Sequence, residues 1–111
     1  MTKEYINPKT IHAPGNYYHV VKSGNIVFIA GQVALDLDGQ IVGAGNIEAQ
    51  TSQVLANLEA AIKSAGGTKE DIMSTTTYII NRDDISGLRK ARDGFFENAP
   101  TSTLVIVSAL A

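Results

Sequence analysis

The sequence predicts an α+β fold in which a mixed sheet carries two helices packed on one face, and three observations predict it. Short runs rich in β-branched and aromatic residues stand near both ends of the 111-residue chain. Between them one long segment repeats its apolar residues every three or four positions, and a second, shorter segment does the same before the last apolar run. The resulting order, β, β, β, helix, β, helix, β, returns the chain to a sheet after each helix.

Taken in order, the first two strands are 17–21 and 26–30. They are separated by Lys22-Ser23-Gly24-Asn25, whose Gly and Asn tolerate positive φ, so the pair is a hairpin. Asp36-Leu37-Asp38-Gly39 is a second turn signal, a short run follows at 40–42, and the β section ends near Gly45. Asn46 then offers an N-cap, and Glu48 an acidic first turn, to a helix whose stripe is Thr51, Val54, Leu55, Leu58, Ile62 and Ala65. Gly66-Gly67 stops it. A stripe on one face only must lie on a partner surface, and the β section is the nearest one.

Residues 73–80 form a strand by composition, with Thr75, Thr76, Thr77, Tyr78, Ile79 and Ile80 all good β formers. Asp83 or Asp84 caps a second helix with Ile85, Leu88, Phe95 and Phe96 on its apolar face, broken by Asn98-Ala99-Pro100. The final run, 103–107, is nearly all apolar, which suits a strand covered on both faces or packed on another subunit. The second face of the sheet would expose Val and Ile side chains unless it met another copy, so a homo-oligomer is expected.

Composition narrows the function. With 44% hydrophobic and 18% charged residues, the chain reads as one domain, 1–111. A domain of this size buries roughly 60–70% of its unfolded surface and needs no disulfide or structural metal. It has no cysteine, hence no thiolate nucleophile or zinc site, and 2 histidines are too few for a metal cluster. Nine Lys plus Arg against 11 Asp plus Glu argue against nucleic acid as a partner, which calls for a basic face. The first ten residues lack the apolar stretch of a signal peptide or membrane span, so a cytoplasmic location and no membrane partner are expected.

Several local signals are bland. Asp36-Leu37-Asp38-Gly39 lacks the later acidic ligand of a calcium loop, and neither Gly43-Ala44-Gly45 nor Gly66-Gly67-Thr68-Lys69 has the spacing of a nucleotide site. His12 and His19, seven apart without ligand spacing, read as surface or loop histidines. Gln50 and Asn57 lie on one flank of the first helix as polar neighbours of its stripe.

More telling is a set of ordered landmarks: Ala13-Pro14-Gly15-Asn16-Tyr17, then Ser23-Gly24-Asn25-Ile26-Val27-Phe28-Ile29-Ala30-Gly31-Gln32, Gln50-Thr51, Asn57-Leu58, Ala65-Gly66-Gly67, Thr77-Tyr78, Phe95-Phe96 and Pro100. In this order and spacing, over about 12–110, the chain resembles the Rid/YjgF family of RidA-like enamine/imine deaminases, also described as L-PSP endoribonuclease-like. The resemblance implies a chorismate-mutase-like fold, a homotrimer with clefts between subunits, and hydrolysis of 2-imino acids to 2-keto acids and ammonia. It implies no metal or organic cofactor. It also implies that Gln50 and Asn57 hydrogen-bond loops and support the fold.

In the family an arginine pairs with the substrate carboxylate, a carboxylate positions water, and a tyrosine and backbone groups orient the imine. On this resemblance the catalytic candidate is Tyr17, with Asn16 in place of a second proline, and the substrate-binding candidates are Tyr17, Gly31, Arg89, Ser102 and Thr103. The arginine position itself is Ser102, and the family glutamate sits on a closing strand expected beyond Ala111 and missing here. Weak or altered deamination is therefore expected. The alternative is a non-catalytic, small-metabolite-binding regulatory trimer, with an endoribonuclease or translation inhibitor behind both.

The same residues also have plainer readings. Arg89, or Arg92 one turn on, either replaces the lost cation or forms solvated ion pairs on the helix surface, each worth under about 1 kcal/mol. Tyr17 reads equally as a hairpin aromatic packed on the sheet. Ser102 and Thr103 have no nearby His or Lys to act as base and read as strand hydroxyls bonded to backbone.

Overall fold

The computed structural model describes residues 2–111. Strands β1 (Glu4–Ile6), β2 (Val20–Ser23) and β3 (Ile26–Ile29) form an antiparallel sheet in that order. The expected hairpin is β2–β3: Ser23 pairs with Ile26, and Gly24, at φ 58°, takes the left-handed conformation that the tight turn demands. Residues 17–19 stay out of the strand, because the His19 N–H is drawn to the Asn7 side-chain oxygen at 2.9 Å.

The third expected strand is corrected. Residues 40–42 make only an isolated bridge, Leu35 with Ile41, because the Asp36 carboxylate accepts the N–H groups of Asp38 and Gln40 and folds the segment into a closed turn. The third strand is instead β1, which pairs Ile6 with Val20 and Glu4 with Lys22. Three residues are too few for alternation to be visible in the sequence.

Helix α1 (Ile47–Ser64) begins and ends as its sequence predicts. The Asn46 side chain accepts the Ala49 N–H at 3.1 Å. At the other end Gly66 stands at φ 89°, the Gly67 N–H reaches back to the Ile62 carbonyl, and Lys22 Nζ donates to the Ala65 carbonyl at 2.8 Å. Ile11, Val20, Ala61 and Ala65 form a buried cluster, with Ile6, Val27, Ile29 and Ala60 packed against it. That contact sets α1 on one face of the antiparallel sheet. Asn57, buried on α1, donates to the carbonyls of Val33 and Leu35, both at 3.2 Å, and so fixes the loop that follows β3. The loop-supporting role expected of Asn57 is what the structure shows.

Strands β4 (Ser74–Ile79) and β5 (Thr101–Ile106) pair in parallel, from Ser74 with Thr101 to Ile79 with Ile106. The fold is α+β, its antiparallel and parallel pairings distributed over two sheets. Between β4 and β5 lies α2 (Ile85–Arg92), shorter than expected. It is preceded by a single 3₁₀ turn, Arg82–Asp84, capped by the Asn81 side chain on the Asp83 N–H. Asp84 sits at the N-cap of α2 and makes no side-chain cap bond. Gly94, at φ 77°, turns the chain out of the helix, so Phe95 and Phe96 leave its apolar face. They meet edge to face at 4.8 Å, with the Lys69 ammonium 4.5 Å from the Phe95 ring centroid. Glu70 accepts the N–H groups of Glu97 and Asn98, which holds the approach to β5.

Helix α2 lies tightly on α1. A Cβ at Gly87 would meet Ile47 Cγ2 at 2.5 Å, so the small residue permits the approach, and Lys90 pairs with Glu48 at 3.3 Å alongside it. The registers divide each sheet into two faces. Ile6, Val20 and Ile29 face α1; Tyr5, Val21 and Phe28 face away, and Phe28 is 73% exposed. On the second sheet Thr75 and Ser102 share one face, while Thr76 with Thr103 and Tyr78 with Val105 share the other. No helix of the described residues is long and apolar enough to cross a membrane.

Candidate functional site

The candidate residues fall into two clusters. The first stands where α2 meets β5. Arg92, in the last turn of α2, donates from Nη1 to the Ser102 hydroxyl at 3.2 Å. The helix places it there because the chain turns out at Gly94 and returns as β5 only nine residues after Arg92. Ser102 lies on the Thr75 side of the parallel pair, the side on which it meets α2. Thr103, one residue on, lies on the opposite face beside Thr76 and does not join this cluster. Arg89, one turn before Arg92, is exposed and makes no side-chain bond among the described residues.

Neither arginine forms a surface ion pair: the two described salt bridges are Lys63 with Glu59 and Lys90 with Glu48. Arg92 instead brings its guanidinium onto the Ser102 hydroxyl. Its other N–H groups have no hydrogen-bond partner among the described residues.

The second cluster surrounds His19. Tyr17, 47% exposed, meets the His19 ring edge to face at 6.0 Å. Gly31 is exposed, with nothing within 4 Å of where a Cβ would be. The two peptides that precede it are held: the Ala30 N–H donates to the His19 carbonyl at 2.8 Å, and Gln32 Nε2 contacts both the Ala30 carbonyl at 3.0 Å and His19 Nδ1 at 3.1 Å.

Here both histidines lie in loops, as the sequence reading allows, but neither is on the surface. His19 is 1% exposed and His12 is 7% exposed, their rings edge to face at 4.9 Å. His19 Nε2 bonds the His12 carbonyl at 2.7 Å, which draws the 10–19 loop inward and takes both rings out of water. Burial, and secondarily the His19 charge, lower the His12 pKa from its ordinary 6.5. His12 Nδ1 and Gln32 Oε1 are buried without a protein partner. Gln32 and His19 are the residues sequence reasoning passed over. The signal was their place beside the two candidates, Gln32 next to Gly31 and His19 two residues from Tyr17.

No hydrogen bond or ring contact joins the two clusters within the described chain. Two open depressions lie elsewhere, one lined by Thr10, Ala56, Glu59, Ala60, Lys63 and Ser64, the other by the 7–14 segment and Leu37, and neither includes a candidate residue.

The likeness to known proteins covers nearly the whole chain. Residues 8–111 match the family model described as Endoribonuclease L-PSP. A RutC family protein of Pyrococcus horikoshii is 37% identical over 93% of this chain and 80% of its own length, and one of Pyrococcus abyssi is 31% identical over 99% and 88%. Among solved structures, a conserved Rid family protein of unknown function from Yersinia pestis superposes with a TM-score of 0.91 at 34% identity, over 98% of this chain and 89% of that one. The YjgF gene product of E. coli does so with a TM-score of 0.89 at 26% identity, over 96% and 87%. With its α+β fold, its ordered motifs and these matches taken together, the chain belongs to the Rid/YjgF family, the Endoribonuclease L-PSP group of the family model.

Proposed function

We propose that this chain binds a 2-keto or 2-imino acid and is of the enamine/imine deaminase type, assembled as a homotrimer in the cytoplasm with its clefts between subunits. The observation that carries the reading is the Arg92–Ser102 contact, which supplies a guanidinium beside the position where the family holds its arginine. The carboxylate of the substrate would pair with Arg92, and Tyr17 and the Gly31 backbone of a neighbouring copy would orient the C=N group. Water adds to the imine carbon, the nitrogen takes the protons, and the carbinolamine collapses to keto acid and ammonia. The apolar sheet faces, with Tyr5, Val21, Ile26 and Phe28 on one sheet and Tyr78 and Val105 on the other, suit contact with a second copy and support the trimer.

Among the described residues no carboxylate is bonded to Arg92, Ser102 or Tyr17, so slow turnover is expected beside readily measured binding. The ribonuclease reading is disfavoured, because both histidines are buried and unavailable as an acid–base pair for a polynucleotide.

Titration of the chain with 2-oxobutanoate, followed by calorimetry, tests the proposal together with an ammonia-release assay on a freshly generated 2-imino acid. Arg92→Gln should weaken binding by roughly ten- to a hundredfold, the worth of a charge-assisted pair. Unchanged affinity in a folded Arg92→Gln protein would remove Arg92 from the site. Saturable binding with no ammonia release above the spontaneous rate would identify the regulatory trimer instead.

A further inference from the structure

His19 is the most deeply buried of the described polar side chains. Its two ring nitrogens have fixed roles. The His12 carbonyl only accepts, so Nε2, 2.7 Å away, carries a hydrogen. The Gln32 amide nitrogen donates to the Ala30 carbonyl at 3.0 Å, and turning that amide over would set oxygen against oxygen. The same nitrogen lies 3.1 Å from Nδ1 and donates to it, so Nδ1 is bare and the ring in this network is neutral. The His19 backbone carbonyl accepts the Ala30 N–H, its ring is tied through Gln32 to the Ala30 carbonyl that precedes Gly31, and its ring edge meets Tyr17.

We propose that His19 is a positioning residue for the keto- or imino-acid site, acting through Gln32 on the carbonyl that precedes Gly31 and through its ring on Tyr17. The proposal rests on the small-acid reading given above. A side chain at 19 that cannot accept from Gln32 leaves that amide held by the Ala30 carbonyl alone, so the peptide that enters Gly31 loses its tie to the ring. The titratable groups facing His19 are His12, from the segment before β2, and Tyr17. Gln32 and Asn7, its other partners, are neutral, and no ion pair among the described residues involves its ring.

The full chain labelled with ¹⁵N tests this by NMR. His19 should show the Nε2–H tautomer, and in His19→Leu the backbone amide of Gly31, the side-chain amide of Gln32 and the Tyr17 ring should all shift. Affinity for 2-oxobutanoate should fall about fivefold in His19→Leu, the effect of one lost hydrogen bond. His19→Gln can donate to the His12 carbonyl and accept from Gln32, so it should restore both the affinity and the Gly31 and Gln32 resonances. An Nδ1–H tautomer, Gly31 and Gln32 resonances that stay still in a folded His19→Leu, or a fall in affinity as large in a folded His19→Gln as in His19→Leu, overturns the proposal. Failure of 2-oxobutanoate to bind the unsubstituted chain, with the resonances still moving in His19→Leu, defeats the small-acid reading while the coupling of His19 to Gly31 holds.

Discussion

The antiparallel and parallel halves of the molecule hold their candidate residues by different means. Around β1–β3 three side chains, buried or half-buried, are answered by backbone: Asn57 by the carbonyls of Val33 and Leu35, His19 by the carbonyl of His12, Lys22 by the carbonyl of Ala65. Around β4–β5 they are mostly exposed hydroxyls, and the one link to the helix layer at the candidate site is the single bond from Arg92 to Ser102. A buried donor left unpaired costs its desolvation, whereas an exposed one is answered by water. Substitutions in the first half should therefore be felt as stability, and those in the second as ligand affinity.

The largest expected effect tests the first side of that contrast. Asn57→Leu keeps the volume of the side chain but strips the donor from two carbonyls on the loop that follows β3. A loss of about 2–4 kcal/mol is expected, with a Tm lower by roughly 10 °C or more in thermal unfolding. A change under about 0.5 kcal/mol, the size usual for surface substitutions, would break the contrast.

How far the sequence carried the fold differs between the same two halves. Helix α1 was legible from Asn46 to Gly66 because cap, stripe and stop all agree within a local window. β1 was not, since three residues acquire their identity only from pairing with β2, and 40–42 misled because its apolar composition yields to the bonds of the Asp36 turn. The second helix was overextended because Phe95 and Phe96 continue the helical spacing, and the stop lies in the φ of Gly94, between them and Arg92. In the site, the sequence offers Arg89 and Arg92 alike as a source of the cation. Which arginine reaches Ser102 depends on how α2 sits over β5, a tertiary fact. The burial of His12 and His19 was invisible for the same reason.

A pH experiment sharpens the contrast at smaller scale. His12 is held neutral, its pKa lowered chiefly by burial. The unfolded chain therefore takes up this proton first as pH falls. Stability that is complete above the ordinary value of 6.5 is lost as pH drops from there toward the lowered folded value. His12→Leu, which also removes the unpartnered Nδ1, should flatten this part of the stability profile in denaturant melts taken across the range. An equally steep loss in the variant would assign the acid sensitivity to other groups.

The smallest expected effect lies at the other site. Ser102→Ala removes the hydroxyl that receives the Arg92 guanidinium at 3.2 Å, at an exposed position where water can replace it. Stability should hardly change. Affinity for 2-oxobutanoate should fall only about two- to fivefold, because the charge remains while its orientation is freed. Ser102→Arg gives the sharper reading. At a position without a cation nearby, a new arginine would tighten binding of a keto acid by about tenfold. With Arg92 already there, two guanidiniums would share one spot and repel, so calorimetry should show little gain. A full tenfold gain in Ser102→Arg, with Arg92→Gln binding as the wild type does, would mean that the Arg92 guanidinium only rests on the strand and the carboxylate is held elsewhere.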